Sequence, residues 1–146
     1  MIGVVIATHG RLAEEVLACA EGIVGPLQRA RAVSVSSTVP LDAAREGIAA
    51  AVREVNEGDG VLVLTDMLGG TPANLALGFL GDAVDVVTGV NLPMLLKLST
   101  CRTPGARLGD VARLICTYGQ KNITLASDVL RPKVAGGPAS GGGGGA

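Results

Sequence analysis

Four short runs of apolar, mostly β-branched residues recur along the chain. Each run is predominantly apolar, which is typical of strands that are covered on both faces of a parallel sheet. The pattern therefore predicts four parallel strands. They are expected at residues 2–7, 32–35, 61–65 and 84–88.

Between these runs, apolar positions follow the period of an amphipathic helix. Alternation of strands and helices implies right-handed crossovers, and so predicts a three-layer α/β/α domain with a mainly parallel sheet of order 2-1-3-4. Further helices are expected after Pro72, at 92–100 and at 108–117, and a short edge strand at 122–126. The positions that share a helix face are Leu12, Val16, Cys19, Ala20 and Ile23 in the first helix, and Ile48, Val52 and Val55 in the second, at 41–56.

Composition narrows the class of protein. The 146 residues are 48% hydrophobic, which favours one domain, expected at 1–130 and followed by a flexible, glycine-rich tail at 131–146. A net charge of −1 and an aromatic content of 1% argue against nucleic-acid binding. The sequence shows no secretory signal and no membrane-spanning stretch. Three widely spaced cysteines are expected to be buried thiols, so a cytoplasmic protein is predicted.

Polar residues follow three of the predicted strands. His9, the only histidine, follows the first strand, Asp66 ends the third and Asn91 follows the fourth. Ligands of open parallel sheets bind beyond the carboxyl ends of the strands, so one crevice is expected to hold all three side chains. Asp66 then accepts a hydrogen bond from one imidazole nitrogen and leaves the other as a nucleophile. The alternative is that Asp66 caps a loop and His9 is structural.

The segment after Asp66 is a candidate anion site. Gly69 and Gly70 allow close backbone approach, Thr71 suits a helix N-cap and Pro72 suits the first helical position. The free N–H groups of such a helix start bind phosphate, although a plain capped turn is the alternative. The sequence has no nucleotide-binding fingerprint, no metal-ligand set and no nucleophile elbow, so neither a cofactor nor a metal is expected.

Taken together, the motifs resemble the IIA component of the mannose family of the phosphoenolpyruvate-dependent sugar phosphotransferase system (PTS). The resemblance covers residues 1 to about 130. Its three motifs are Thr8-His9-Gly10 with Leu12-Ala13 and Glu15, Thr65-Asp66 with Gly69-Gly70-Thr71-Pro72-Ala73-Asn74, and Gly89-Val90-Asn91-Leu92-Pro93-Met94-Leu95.

The resemblance implies roles for these residues. In the family, the matching histidine accepts a phosphoryl group from phospho-HPr, a small histidine phosphocarrier, and passes it to a IIB component. His9 is then the acceptor through Nε2, Asp66 orients its ring, and Gly70 and Thr71 stabilise the phosphoryl oxygens. Support or partner contact is expected of Thr8, Gly10, Asn74, Asn91 and Pro93. Docking contacts, with core packing as the alternative, are expected of Leu12, Met67, Leu68, Pro93 and Met94.

The resemblance leaves the downstream role open. Transport members work with IIB and membrane IIC and IID components, whereas a free-standing IIA regulates another protein through its phosphorylation state. The phosphotransfer subunit of dihydroxyacetone kinase is a further alternative, and a small-ligand α/β domain with a structural histidine is the last. Family members form homodimers, in some cases by exchanging the last strand, here 122–126. The loop at 36–42 departs from the family pattern, so the resemblance assigns it no partner contacts.

Overall fold

The computed structural model describes residues 1–131, which form a four-stranded sheet and six helices. All neighbouring strands are parallel and the order is β2-β1-β3-β4, so the predicted fold class and strand order are confirmed. The predicted tail lies outside the described residues, except for Arg131. The elements are β1 (Gly3–His9), α1 (Leu12–Val24), β2 (Ala30–Val35), α2 (Leu41–Val55), β3 (Val61–Thr65), α3 (Thr71–Leu77), β4 (Val84–Thr88), α4 (Leu92–Cys101), α5 (Leu108–Lys121) and α6 (Ala126–Leu130).

The sheet is the middle of three layers. On one face, even-numbered side chains of β1 and β3, such as Ile6 and Leu64, pack with α1, α4 and α5. On the other face, Val5 and Val63 pack with α2 and α3. All five residues of β3 are buried, which explains why four of them are aliphatic.

The two central strands, β1 and β3, end at the same edge of the sheet. β1 is buried from Gly3 to Thr8, and His9 is its first exposed residue. Ala7 of β1 lies beside Thr65, the last residue of β3, so the end of β1 at Thr8 and His9 extends alongside the residues that follow β3, beginning with Asp66. This register places His9 and Asp66 side by side.

Two predictions about packing are wrong in part, although Val16 and Ala20 of the predicted α1 face do pack in the core. α1 buries Ala13 and Ala20, whereas Leu12 and Ile23 are exposed and Cys19 lies on the surface. The side of α1 that packs on the core carries Ala13, Val16, Leu17 and Ala20, at the i, i+3, i+4, i+7 spacing of one helix face. Cys101 and Cys116 are half-buried, so only these two thiols pack against the core.

The strand predicted at 122–126 is also wrong. The structure has no strand in this segment, and α6 begins at Ala126. The alternation in Ile123-Thr124-Leu125 is only three residues long, and the Ile123 and Leu125 side chains are 77% and 66% exposed. Without a neighbouring strand or an apolar surface to cover, β propensity does not hold a strand in place. Over residues 1–131, no helix combines the length and hydropathy needed to cross a bilayer.

Candidate functional site

His9 and Asp66 form a hydrogen-bonded pair at the carboxyl edge of β1 and β3. The His9 Nδ1 atom lies 2.7 Å from Asp66 Oδ2, and the His9 backbone N–H donates to the same oxygen at 3.1 Å. The Met67 N–H donates to Asp66 Oδ1 at 3.1 Å. The His9 side chain is 50% exposed and that of Asp66 only 14%. The structure therefore brings the two residues together as the sequence predicted.

The environment of Asp66 fixes the tautomer of the His9 ring. Partial burial raises the pKa of the Asp66 carboxyl, but hydrogen bonds from the His9 ring and backbone outweigh this effect, and the pKa lies below its usual value. An ionised carboxylate only accepts hydrogen bonds, so Nδ1 carries the proton in this contact. Nε2 of the neutral ring then keeps its lone pair, which is the form that a nucleophile needs.

Gly70 lies directly against the imidazole. A Cβ atom at this position would be 2.6 Å from His9 Cε1 and 3.2 Å from Nε2. The Gly70 backbone has φ −83° and ψ 164°, which any residue adopts, so glycine is required here for space rather than for conformation. The sequence indicated a close backbone approach at Gly70, and in the structure the approached group is the His9 ring.

α3 begins one residue earlier than predicted. Gly70 is its N-cap and Thr71 its first residue, because the Gly70 carbonyl accepts the first helical hydrogen bond from the Asn74 N–H at 2.9 Å. Pro72 is therefore the second helical residue. Thr71 is therefore not the cap of α3, and it is exposed in the wall of the space beside His9. Its role towards a phosphoryl group stays a prediction.

Thr8 and Gly10 hold the backbone on either side of His9. The buried Thr8 Oγ1 accepts a hydrogen bond from the Ala13 N–H at 2.7 Å and donates to the His9 carbonyl at 3.1 Å. Gly10 adopts φ +53°, a left-handed conformation that favours glycine, and its N–H donates to the Val35 carbonyl at 3.2 Å. These contacts fix the turn that leads from β1 into α1.

The comparisons with known proteins agree with this geometry. Residues 3–115 match the family model described as the PTS system fructose IIA component, EIIA-man. The chain belongs to this family. It is 30% identical over 132 residues to the PTS system fructose-specific EIIA component of Bacillus subtilis, covering 89% of this chain and 90% of that protein.

Other relatives share the domain. The chain is 28% identical over 141 residues to the PTS system mannose-specific EIIAB component of Escherichia coli, covering 95% of this chain but only 44% of that protein. The chain thus spans less than half the length of that relative. Among solved structures, the mannose/sorbose specific IIA subunit of Enterococcus faecalis superimposes with a TM-score of 0.76 at 32% identity, covering 85% of this chain and 93% of that one.

Asn91 has a structural place in this IIA domain. Its Oδ1 accepts a hydrogen bond from the Met94 N–H at 3.1 Å, and its Nδ2 donates to the Gly119 carbonyl at 3.0 Å. Both ends of the amide are therefore used to cap α4 and to join it to α5. Neither hydrogen bond joins Asn91 to His9 or Asp66, and a position after a strand also suits a helix N-cap, so the expected place of Asn91 in their crevice stays a prediction.

The remaining predicted contact residues fall into two groups. Met94 is 4% exposed and packs against Gly119, so it belongs to the core and not to a docking surface. Leu12, Met67 and Leu68 are 49%, 55% and 69% exposed. Asn74 is exposed on α3 and Pro93 is half-buried at the start of α4.

A cavity of about 460 Å³ beside His9 was not predicted from the sequence. Its wall opposite His9 comes from the end of β2, the connection to α2 and the first residues of α2. Only the departure of residues 36–42 from the family pattern pointed to this segment. The lining residues are His9, Val35, Ser36, Ser37, Val39, Leu41, Ala44 and Thr71.

Proposed function

We propose that this IIA domain is a phosphoryl carrier in which His9 accepts a phosphoryl group from phospho-HPr and passes it to a IIB component. One observation carries the proposal: Asp66 lies 2.7 Å from Nδ1 of a histidine whose side chain is 50% exposed. Membership of the PTS IIA family supports the same chemistry. A phosphotransferase that works through phosphohistidine follows from the two together.

The proposed step moves a phosphoryl group between two imidazoles. The P–N bond of the donor breaks while a new P–N bond forms at Nε2 of His9, and the donor ring keeps the electron pair of the broken bond. Phosphorylation at Nε2 places positive charge on the His9 ring, and the Asp66 carboxylate at Nδ1–H balances it. The backbone and hydroxyl groups of Gly70 and Thr71 are the proposed donors to the phosphoryl oxygens. Positioning matters most in such a transfer, because no strong base is needed.

Sugar transport is the proposed purpose of the transfer. The B. subtilis relative, which this chain matches over 90% of its length, is named as fructose-specific, and the E. coli relative is named as mannose-specific. We therefore place this domain in the cytoplasm, upstream of IIB and the membrane components IIC and IID.

A homodimer is part of the proposal. The C-terminal segment of the described chain exposes four large apolar side chains, which is unusual for a short stretch that follows a helix. A second copy of the chain is the proposed cover for Ile123, Leu125, Val129 and Leu130, which are 66–80% exposed. Sedimentation or light scattering measures the oligomeric state.

Reconstitution tests the carrier function. The protein is incubated with phosphoenolpyruvate, enzyme I and HPr, and its intact mass is measured. A mass increase of one phosphoryl group that is lost in acid, and that is absent from His9→Ala, is the expected result. An unmodified wild-type protein in the presence of phosphorylated HPr would contradict the proposal.

A further inference from the structure

The cavity beside His9 is apolar at its base and open at its rim. Val35 and Ala44 form the base and are each 7% exposed. Val39 and Leu41 lie at the rim and are 41% and 61% exposed. Because His9 itself is part of the wall, any group that reaches its ring from this side passes over the cavity.

Apart from His9 and Thr71, where the phosphoryl group is proposed to bind, the lining of the cavity offers no charged side chain to a second ligand. Among its lining residues, His9 is the only one with an ionisable side chain. The Ser36 and Thr38 hydroxyls are 2.9 Å apart and hydrogen-bond each other, and Ser36 Oγ also accepts the Thr38 N–H at 3.2 Å. The Ser36 hydroxyl therefore forms its hydrogen bonds within its own loop. An uncharged, mainly apolar occupant suits these walls.

We propose that the cavity receives an apolar side chain of the protein that donates the phosphoryl group, and so selects that protein. This inference rests on the proposed function and adds the chemistry of the partner contact. A protein carrying phosphohistidine must cover the surface around His9 to reach Nε2, and this surface includes the cavity. A volume of about 460 Å³ accommodates an aromatic or branched aliphatic side chain.

The surroundings of the cavity favour a protein over a small molecule. Met67 and Leu68, next to Asp66, are 55% and 69% exposed. A small ligand in the cavity leaves both side chains in water, whereas a protein surface covers them together with the cavity mouth. Buried apolar anchors of this kind, surrounded by a wider contact, are the usual source of affinity in protein interfaces.

A substitution that introduces a charged side chain at the rim of the cavity tests the inference. Val39→Glu places a carboxylate in the proposed apolar contact, and Leu80→Glu is the matched control. Leu80 is an exposed loop residue, at 55%, and it precedes β4, at the opposite edge of the sheet from the site. Two donors are compared: phospho-HPr, and phosphoramidate, a small phosphoryl donor that needs no protein contact. Val39→Ile keeps the apolar rim and controls for any change of the loop.

The expected result is specific to the protein donor. Val39→Glu lowers the second-order rate of transfer from phospho-HPr about tenfold or more, because burying an unpaired carboxylate against apolar groups is costly. Its rate with phosphoramidate stays within about twofold of wild type, as do all rates of Leu80→Glu and Val39→Ile.

Two outcomes overturn the inference while the proposed function stands. The first is a Val39→Glu rate with phospho-HPr within about twofold of wild type, and the second is an equal loss with both donors, which would place the effect on His9 itself. If the wild-type protein reacts with phosphoramidate but not with phospho-HPr, the proposed function fails, and the partner named here fails with it.

Discussion

Replacing Gly70 by alanine is expected to displace the His9 ring by a distance that follows from the structure. The added Cβ atom would lie 2.6 Å from His9 Cε1, whereas ordinary contact begins at 3.4 Å, so the ring must retreat by about 0.8 Å. A movement of that size lengthens the His9 Nδ1 to Asp66 Oδ2 distance from 2.7 Å to at most about 3.5 Å, the limit of a hydrogen bond. The variant therefore separates the reactive ring from the residue that orients it.

The expected effect of Gly70→Ala is larger on transfer than on folding. A displacement approaching 1 Å costs on the order of 10²-fold in rate when positioning provides the catalysis. The strain of an extra methyl group costs about 1–3 kcal/mol of unfolding free energy, and relief by movement of the exposed ring favours the lower end. The variant is therefore expected to fold and to accept the phosphoryl group slowly from both phospho-HPr and phosphoramidate.

Nitrogen NMR of the unphosphorylated protein reports directly which nitrogen of the His9 ring carries the proton. In the wild type, the neutral His9 ring carries its proton on Nδ1, and Gly70→Ala shifts the population towards Nε2–H. Gly22→Ala is the control, because Gly22 is exposed in α1 and nothing lies within 4 Å of its added Cβ. This control is expected to gain up to about 1 kcal/mol in stability without a change in transfer rate. A Gly70→Ala variant with the wild-type tautomer and a rate within about twofold of wild type would refute the argument.

Four further predictions concern Asp66, Thr65 and Asn91. Asp66→Asn slows phosphorylation of His9 by about 10²-fold, because an amide holds the wrong tautomer as readily as the right one; a wild-type rate removes Asp66 from the mechanism. Since the pKa of Asp66 is lowered from 3.8 by folding, its contribution to stability is present above that pH and is lost as the pH falls through the lower, folded-state pKa. Urea unfolding should show the wild-type advantage over Asp66→Asn shrinking with acidification, and a constant difference contradicts it. Thr65→Val raises the unfolding free energy by about 1 kcal/mol, because the buried Thr65 hydroxyl has no hydrogen-bond partner among residues 1–131. A lower urea midpoint for the variant would contradict this and show that the hydroxyl forms a stabilising hydrogen bond. Asn91→Ala lowers the unfolding free energy by about 1–2 kcal/mol through loss of the α4 cap, and its phosphorylation rate stays within about twofold of wild type. A larger loss of transfer rate would show that Asn91 contributes to the phosphorylation site.

The sheet was predictable chiefly because its central strands, β1 and β3, are buried on both faces. The run at Val61–Thr65 coincides with β3, in which every residue is buried. The run at Val84–Thr88 coincides with β4, although this strand contains Asp85 and is only partly buried. The face of α1 was not predictable in the same way. Ala13 and Ala20 are buried there, and hydropathy gives an alanine less weight than Leu12 or Ile23, which the helix exposes.

The pairing of His9 with Asp66 was predictable from topology, because neighbouring parallel strands end at one edge of the sheet. Two other features of the site depend on distances that no spacing encodes. The contact of Gly70 with the imidazole depends on the path of the loop after β3. The cavity depends on Val39 and Leu41, which are some 30 residues distant from both His9 and Thr71 in the chain but face the same space.

The most direct test of the account is where the phosphoryl group is attached. The protein labelled with nitrogen-15 in its single histidine is phosphorylated through HPr, and the phosphorus-to-nitrogen coupling of the product is measured by NMR. The account predicts one phosphohistidine, at Nε2 of His9, with Nδ1–H still hydrogen-bonded to Asp66. Phosphate attached at Nδ1, or on any residue other than His9, would contradict it.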